Sequence, residues 1–152
     1  MAKATKMTST SPSKLVDQVR KYLEDGGSKE IFIEVTPVPA SRPRVSRWGT
    51  YYGKTYETFR TQVKEQLRAH IGEPITGQIE ALIEIISPRP KTSKRAHPRG
   101  DVDNFAKGPL DSMTHAGTFW NDDDQITGLA VFKRFAEQDE PVGIRIIYME
   151  KA

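Results

Sequence analysis

The sequence predicts an α+β fold: a small mixed sheet of about four strands with two or three helices packed on it. Three observations point there. Four segments, residues 30–36, 78–86, 125–135 and 141–150, are rich in isoleucine and valine or alternate apolar with polar. Three others, 14–24, 56–70 and 103–115, carry apolar residues at helical spacing. Proline and glycine fall between these segments, where they end one element before the next begins.

Residues 1–12, rich in Ser, Thr and Lys, are expected to form a disordered tail ahead of a single domain over 13–152, with 13–28 as an accessory helix. Ser13 is the expected cap of that helix, and Leu15, Val16, Val19 and Leu23 form its apolar stripe. That stripe either packs on the chain's own sheet or extends an interface. Ile31, Ile33 and Val35 alternate as a strand. Residues 37–53 hold Pro37, Pro39 and Pro43 and are read as neither helix nor central strand. Phe59, Val63 and Leu67 repeat every four residues, and Gly72 and Pro74 follow the helix they mark. Asp103 is the expected N-cap of the 103–115 helix, which Gly108-Pro109 should kink or split. The last two strands, joined through Gln138-Asp139-Glu140, are expected to pair as an antiparallel hairpin.

The totals narrow the function classes. The 152 residues carry a net charge of +3 and no cysteine, which removes disulfides, zinc–thiolate sites and thiol nucleophiles. No apolar run approaches the roughly 18 residues that span a bilayer, and no apolar leader opens the chain. A cytoplasmic protein is expected.

Charge is distributed unevenly. From 101 to 124 stand Asp101, Asp103, Asp111, Asp122, Asp123 and Asp124, with Lys107 as the one formal cation among them. The preceding stretch carries Arg89, Lys91, Lys94, Arg95 and Arg99 with no acid. Clustered carboxylates repel unless a hard cation neutralises them with oxygen ligands. Basic residues next to such a site suit a polyanionic substrate whose phosphate meets the metal. Asp101 and Asp103 point the same way if the helix entry is extended, and Lys107 lies one turn beyond Asp103. A chain reversal at Gly117 would bring Asp122 and Asp123 back to them. An EF-hand loop starting at Asp101 does not fit, because Ala106 and Ser112 occupy its glycine and glutamate positions. Isolated His70, His97 and His115 form no metal pair or triad. A second basic stretch, Arg42, Arg44, Arg47, Lys54 and Arg60, is interleaved with Trp48, Tyr51, Tyr52, Tyr56 and Phe59, a mixture suited to phosphates and unpaired bases.

Asp101-Val102-Asp103-Asn104-Phe105-Ala106-Lys107, then Asp111, Gly117 and Asp122-Asp123-Asp124-Gln125-Ile126, resembles the RusA family of Holliday junction resolvases. Their pattern is D-x-D-N-x-x-K-x-x-x-D, a glycine, then D-D-x-Q-[IV]. Pro37-Val38-Pro39-Ala40-Ser41-Arg42-Pro43-Arg44 is similar to phage members. The resemblance implies a homodimer that hydrolyses phosphodiesters of branched DNA with Mg²⁺, or Mn²⁺ in its place, in recombination and repair. Its metal aspartates fall on Asp101, Asp103 and Asp123, with Asp122 adjacent, and its essential lysine on Lys107. Arg42, Arg44, Arg47, Arg89, Lys91, Lys94, Arg95 and Arg99 are the expected DNA contacts. The chain departs at Gly108-Pro109, where members carry helix formers, and at Asp124, a third consecutive acid that leaves the choice between Asp122 and Asp123 open. Two other readings are a nuclease for flaps or forks and a non-catalytic DNA-binding protein of the same fold.

Overall fold

The computed structural model describes residues 13–40, 44–47, 49–51, 53–92 and 94–152, with backbone alone at 44–46 and 49–51. The expected tail at 1–12 lies outside the described residues, as do Arg42, Trp48, Tyr52 and the side chains of Arg44 and Tyr51.

The elements run α1 (Lys14–Asp25), β1 (Lys29–Ile33), β2 (Arg44–Ser46), β3 (Gly49–Tyr51), α2 (Lys54–Leu67), β4 (Ile79–Ser87), α3 (Val102–Ala116), a 3-10 turn (Asp123–Gln125), β5 (Ile126–Phe135) and β6 (Gly143–Glu150). Four strands form a mixed sheet in the order β1-β6-β4-β5. β4 runs parallel to β5 and antiparallel to β6, and β1 is antiparallel to β6. β2 and β3 form a separate antiparallel pair. The α+β class with three helices on a four-stranded mixed sheet is therefore what the chain adopts.

The expected β5–β6 hairpin is not formed, because β4 lies between the two strands and pairs with both. The cause is visible in β4 itself. Ala81, Leu82, Ile83, Ile85 and Ile86 are all buried, so apolar side chains leave both faces of the strand. Such a strand is satisfied only inside a sheet with both faces covered. The β5–β6 connection instead turns through Asp139, at φ 64°. It is held by a bidentate pair in which Arg134 Nη1 and Nη2 each donate to Glu140 at 2.6 Å.

The two faces of the sheet are covered differently. Ile79, Ala81, Ile83, Ile85, Ile144 and Ile146 meet Phe59 and Val63 of α2 and Phe105 and Met113 of α3. On the opposite face Val16, Val19 and Leu23 of α1 pack against Leu82, Ile147 and Met149. The α1 stripe thus packs on its own sheet, while Leu15 stays 55% exposed. Burying Val16 and Leu23 contributes about 1.5–3 kcal/mol each. Ser13 caps the helix as expected, its hydroxyl accepting from Val16 N at 3.3 Å. Beyond this patch the face turns ionic. Glu84, 2% exposed, accepts from Arg20 and from Arg145 Nη1, the latter at 3.2 Å.

α3 is one continuous helix with Pro109 inside it, so the division into two pieces, one of the two outcomes expected, does not occur. Its N-cap is Asp101, two residues earlier than expected. Gly108 lies against α2. A Cβ there would stand 3.0 Å from Tyr56 Oη and 3.1 Å from Phe59 Cε2, so a side chain would have to push both rings aside by a few tenths of an ångström.

Candidate active site

α3 carries the first acid segment, and three other parts of the chain fix its entry. Gly100 has φ +104°, a conformation that favours glycine, and a Cβ there would meet the Phe105 ring at 2.8 Å. Lys133 Nζ, from β5, donates to the carbonyls of Pro98, at 2.9 Å, and Gly100. Ala40 N donates to Asn104 O at 2.8 Å, tying the proline-rich strand exit to the first turn of the helix. Asp101 caps with its backbone alone: its carbonyl accepts from Phe105 N at 3.1 Å and its side chain makes no capping bond. The carboxylates of Asp101 and Asp103 are exposed and stand at a helix N-terminus, where the macrodipole favours negative charge.

One turn further, Lys107 Nζ lies 3.4 Å from Asp111 Oδ2, both side chains reaching solvent. The i, i+4 spacing aligns the pair along the outer face of α3.

The second acid segment returns to that face. Gly117, at φ 75°, ends α3 in the left-handed conformation that reverses the chain. Phe119 and Trp120 then plug into the core, and Trp120 Nε1 donates to Thr114 Oγ1 at 2.8 Å. Asp122 opens the 3-10 turn in a capping box. Its Oδ1 accepts from Asp124 N at 3.0 Å, while Gln125 Oε1 accepts from Asn121 N and Asp122 N, both at 2.9 Å. The Gln125 amide donates to the carbonyls of Ile75, at 2.7 Å, and Gly77, at 3.0 Å.

Asp123 is the acid this arrangement perturbs. Partial burial raises its pKa first, then its hydrogen bond with Asp122 and the negative charges of Asp122 and Asp111, with Lys107 pulling the other way. Asp111, Asp122, Asp123 and Lys107 therefore form one electrostatic group. Asp101 and Asp103 lie one to two turns along α3 from Lys107. Among the described residues no three Asp, Glu or His side chains stand together as a ready-made metal cage.

The expected DNA contacts are placed unevenly. Lys91, Lys94 and Arg99 are exposed on the loop that runs into Asp101. Arg95 Nε donates to His97 O at 3.2 Å, and the Arg89 guanidinium sits 4.8 Å over the Phe135 ring. Arg95 and Arg99 border a cavity of about 410 Å³ walled by Pro37, Pro39, Pro98 and Phe105. Arg47 is exposed in the turn between β2 and β3.

A family model described as endodeoxyribonuclease RusA matches residues 34–147. The chain belongs to the RusA endodeoxyribonuclease family. The RusA match spans both acid segments, α2, α3, β4 and β5, and leaves α1 and β1 ahead of it. A search of curated proteins found no match. Among the described residues no helix is long and apolar enough to cross a membrane.

Two residues that hold these acid segments in place carry structural duties that sequence reasoning did not assign. Gln125 is part of the RusA pattern, and its hydrogen bonds say what the position is for: it clamps the acidic turn to the lead-in of β4. Lys133 clamps the other segment. Its only sequence signal is a charge alternating with Val131 and Phe135 on the face of β5 that the helices cover.

Proposed function

We propose that this RusA-family chain is a structure-selective endonuclease that cuts branched DNA, four-way junctions above all, with a divalent cation, Mg²⁺ or Mn²⁺. The observation that carries the reading is the group of Lys107, Asp111 and Asp123, built from two clamped segments next to Asp101 and Asp103.

Asp101, Asp103 and Asp123 are the residues we assign to the cation. Their donors are all oxygen and their side chains are exposed. They come from two segments, which leaves positions for water and phosphate, the preference of Mg²⁺. Partial burial first, then the Asp122 hydrogen bond and the charges of Asp122 and Asp111, raise Asp123, and a cation at this place would relieve the repulsive part. When bound, the cation would polarise the phosphodiester and lower the pKa of an attacking water. We assign Asp122 to the turn, since its carboxylate is engaged in the capping box. Lys107 stabilises charge on the phosphate, and Asp111 holds its ammonium in place. Arg47 and the exposed basic loop from Arg89 to Arg99 hold the backbone, as do Arg42 and Arg44. A two-fold dimer would present two such sites to symmetry-related strands.

The test is cleavage of a synthetic four-way junction, a flap, a fork and linear duplex, each with Mg²⁺ and with chelator. The reading requires metal-dependent paired nicks on the junction at rates well above the duplex. Binding without cutting in any metal would leave the non-catalytic alternative. Equal rates on flaps and junctions would leave a general branched-DNA nuclease.

A further inference from the structure

A second basic surface lies away from the loops already assigned. On α2, Arg60, Lys64 and Arg68 are spaced four residues apart and form one stripe along the helix. α2 runs alongside α3, with Tyr56 and Phe59 against Gly108 near one end and Lys64, Leu67 and Arg68 facing Ser112 and His115 at the other. A cavity of about 440 Å³ opens between the two C-terminal halves, lined by Lys64, Arg68, His70, Ser112, His115 and Thr118. A shallower depression of about 190 Å³ continues it along α2 past Arg60 and Thr61, and Lys64 borders both.

The side chains are disposed for an anion. Lys64 makes no ion pair among the described residues. Ser112 is 5% exposed and lines the cavity, and its hydroxyl makes no hydrogen bond among the described residues. The acids nearby are Glu65, which pairs with Arg68 at 2.6 Å, Glu57 at the outer end of the groove, and Asp111, one turn before His115, which pairs with Lys107. Basic residues in a helix's last turn often only complement its dipole. Here two helices turn theirs onto one concave surface beside a hydroxyl, which the dipole of either helix does not require.

The position fits a nucleic-acid track. Lys107, Asp111 and His115 are successive i, i+4 positions of α3. Eight residues at about 1.5 Å each put His115 about 12 Å from Lys107 along the helix. Along a duplex axis that length equals about three to four rises of about 3.4 Å each, and fewer steps along the winding backbone of one strand.

We propose that the groove between α2 and α3 is a second DNA-backbone contact, in which Lys64, Arg68 and His115 take phosphates a few nucleotides from the scissile one. The assignment rests on the nuclease reading above and adds a surface that none of the loop arginines lines.

The experiment compares wild-type chain with Lys64→Ala/Arg68→Ala on a four-way junction, measuring affinity against salt and steady-state cleavage. Both residues are surface residues, and thermal unfolding confirms that the variant folds. The double variant should bind more weakly, flatten the log affinity–log salt slope by nearly one unit per lost contact, and show its loss in KM rather than kcat. A neutral methylphosphonate placed a few nucleotides from the cut should weaken wild type more than the double variant, which keeps only His115 of the three. Unchanged affinity and slope in the variant, with wild type binding and cutting normally, would overturn the groove and leave the nuclease reading intact. A wild-type chain that neither binds nor cuts junctions would overturn both.

Discussion

The side-chain amide of Gln125 donates to the carbonyl of Ile75 at 2.7 Å, across fifty residues of sequence. With its partners at Gly77, Asn121 and Asp122, this one amide fastens the Asp122–Asp124 turn to the segment that leads into β4. Gln125→Ala removes those four bonds at about 0.5–1.5 kcal/mol each, so a loss of about 2–6 kcal/mol is expected in urea unfolding. The acidic turn loosens with it. Cleavage should fall while junction affinity holds, and a variant cutting at wild-type rate would show that the turn needs no clamp.

Asp101→Asn and Asp123→Asn should each abolish cleavage and spare junction binding, because binding rests on basic groups. Removing a negative charge beside the phosphates tightens binding if it changes it at all. Single-turnover cleavage with excess protein, alongside gel-shift titration, separates the two effects. Wild-type cutting by either variant would remove that residue from the site.

Lys107→Ala should lower turnover by about a hundredfold or more, the scale of losing one charge-stabilising donor. Asp111→Asn frees the Lys107 ammonium from its partner 3.4 Å away and should cost less. If Lys107→Ala reaches the normal rate merely by adding DNA, the lysine is a binding residue and not part of the chemistry.

Lys133→Met keeps the length of the side chain and loses the ammonium that holds Pro98 and Gly100. The loop ahead of Asp101 should become more sensitive to limited proteolysis, and cleavage should fall with it. Resistance equal to wild type would mean that Gly100 and Phe105 alone hold the helix entry.

Glu140 supplies an acid-dependent part of the stability. The hydrogen bonds from Arg134 first, then the bond from Glu137 N and the charges of Arg134 and Arg145, hold its pKa below the ordinary 4.5. A carboxylate depressed on folding stabilises above its unfolded pKa and loses that contribution as pH falls through the folded value. Wild type should therefore weaken below about pH 4.5. Glu140→Gln should be less stable at pH 7 and show a shallower acid dependence. Urea midpoints that run parallel for the two proteins across pH 3–7 (roughly the range where carboxylates titrate) would discard this pair as a source of acid lability.

Sequence by itself determined the elements and the chemistry within reach of each. Periodicity alone places α1 and α2, and the capping Ser13 and terminating Gly117 act within a turn of their own backbone. The spacing of Asp101, Asp103, Lys107 and Asp111 fixes their order along one helix, since a helix converts sequence distance into direction. Strand partners are another matter. β5 and β6 follow one another in sequence, yet β4 takes the place between them, because burial of both its faces is decided by the whole sheet. The close packing of α3 on α2, with Gly108 against Tyr56 and Phe59, is likewise tertiary. So is the approach of Asp123 to Asp111 and Lys107, which depends on a buried Trp120 and on an amide bonded fifty residues away. Local rules see a residue's neighbours in the chain; these contacts exist only once distant segments share one core and must satisfy each other's volume and hydrogen bonds.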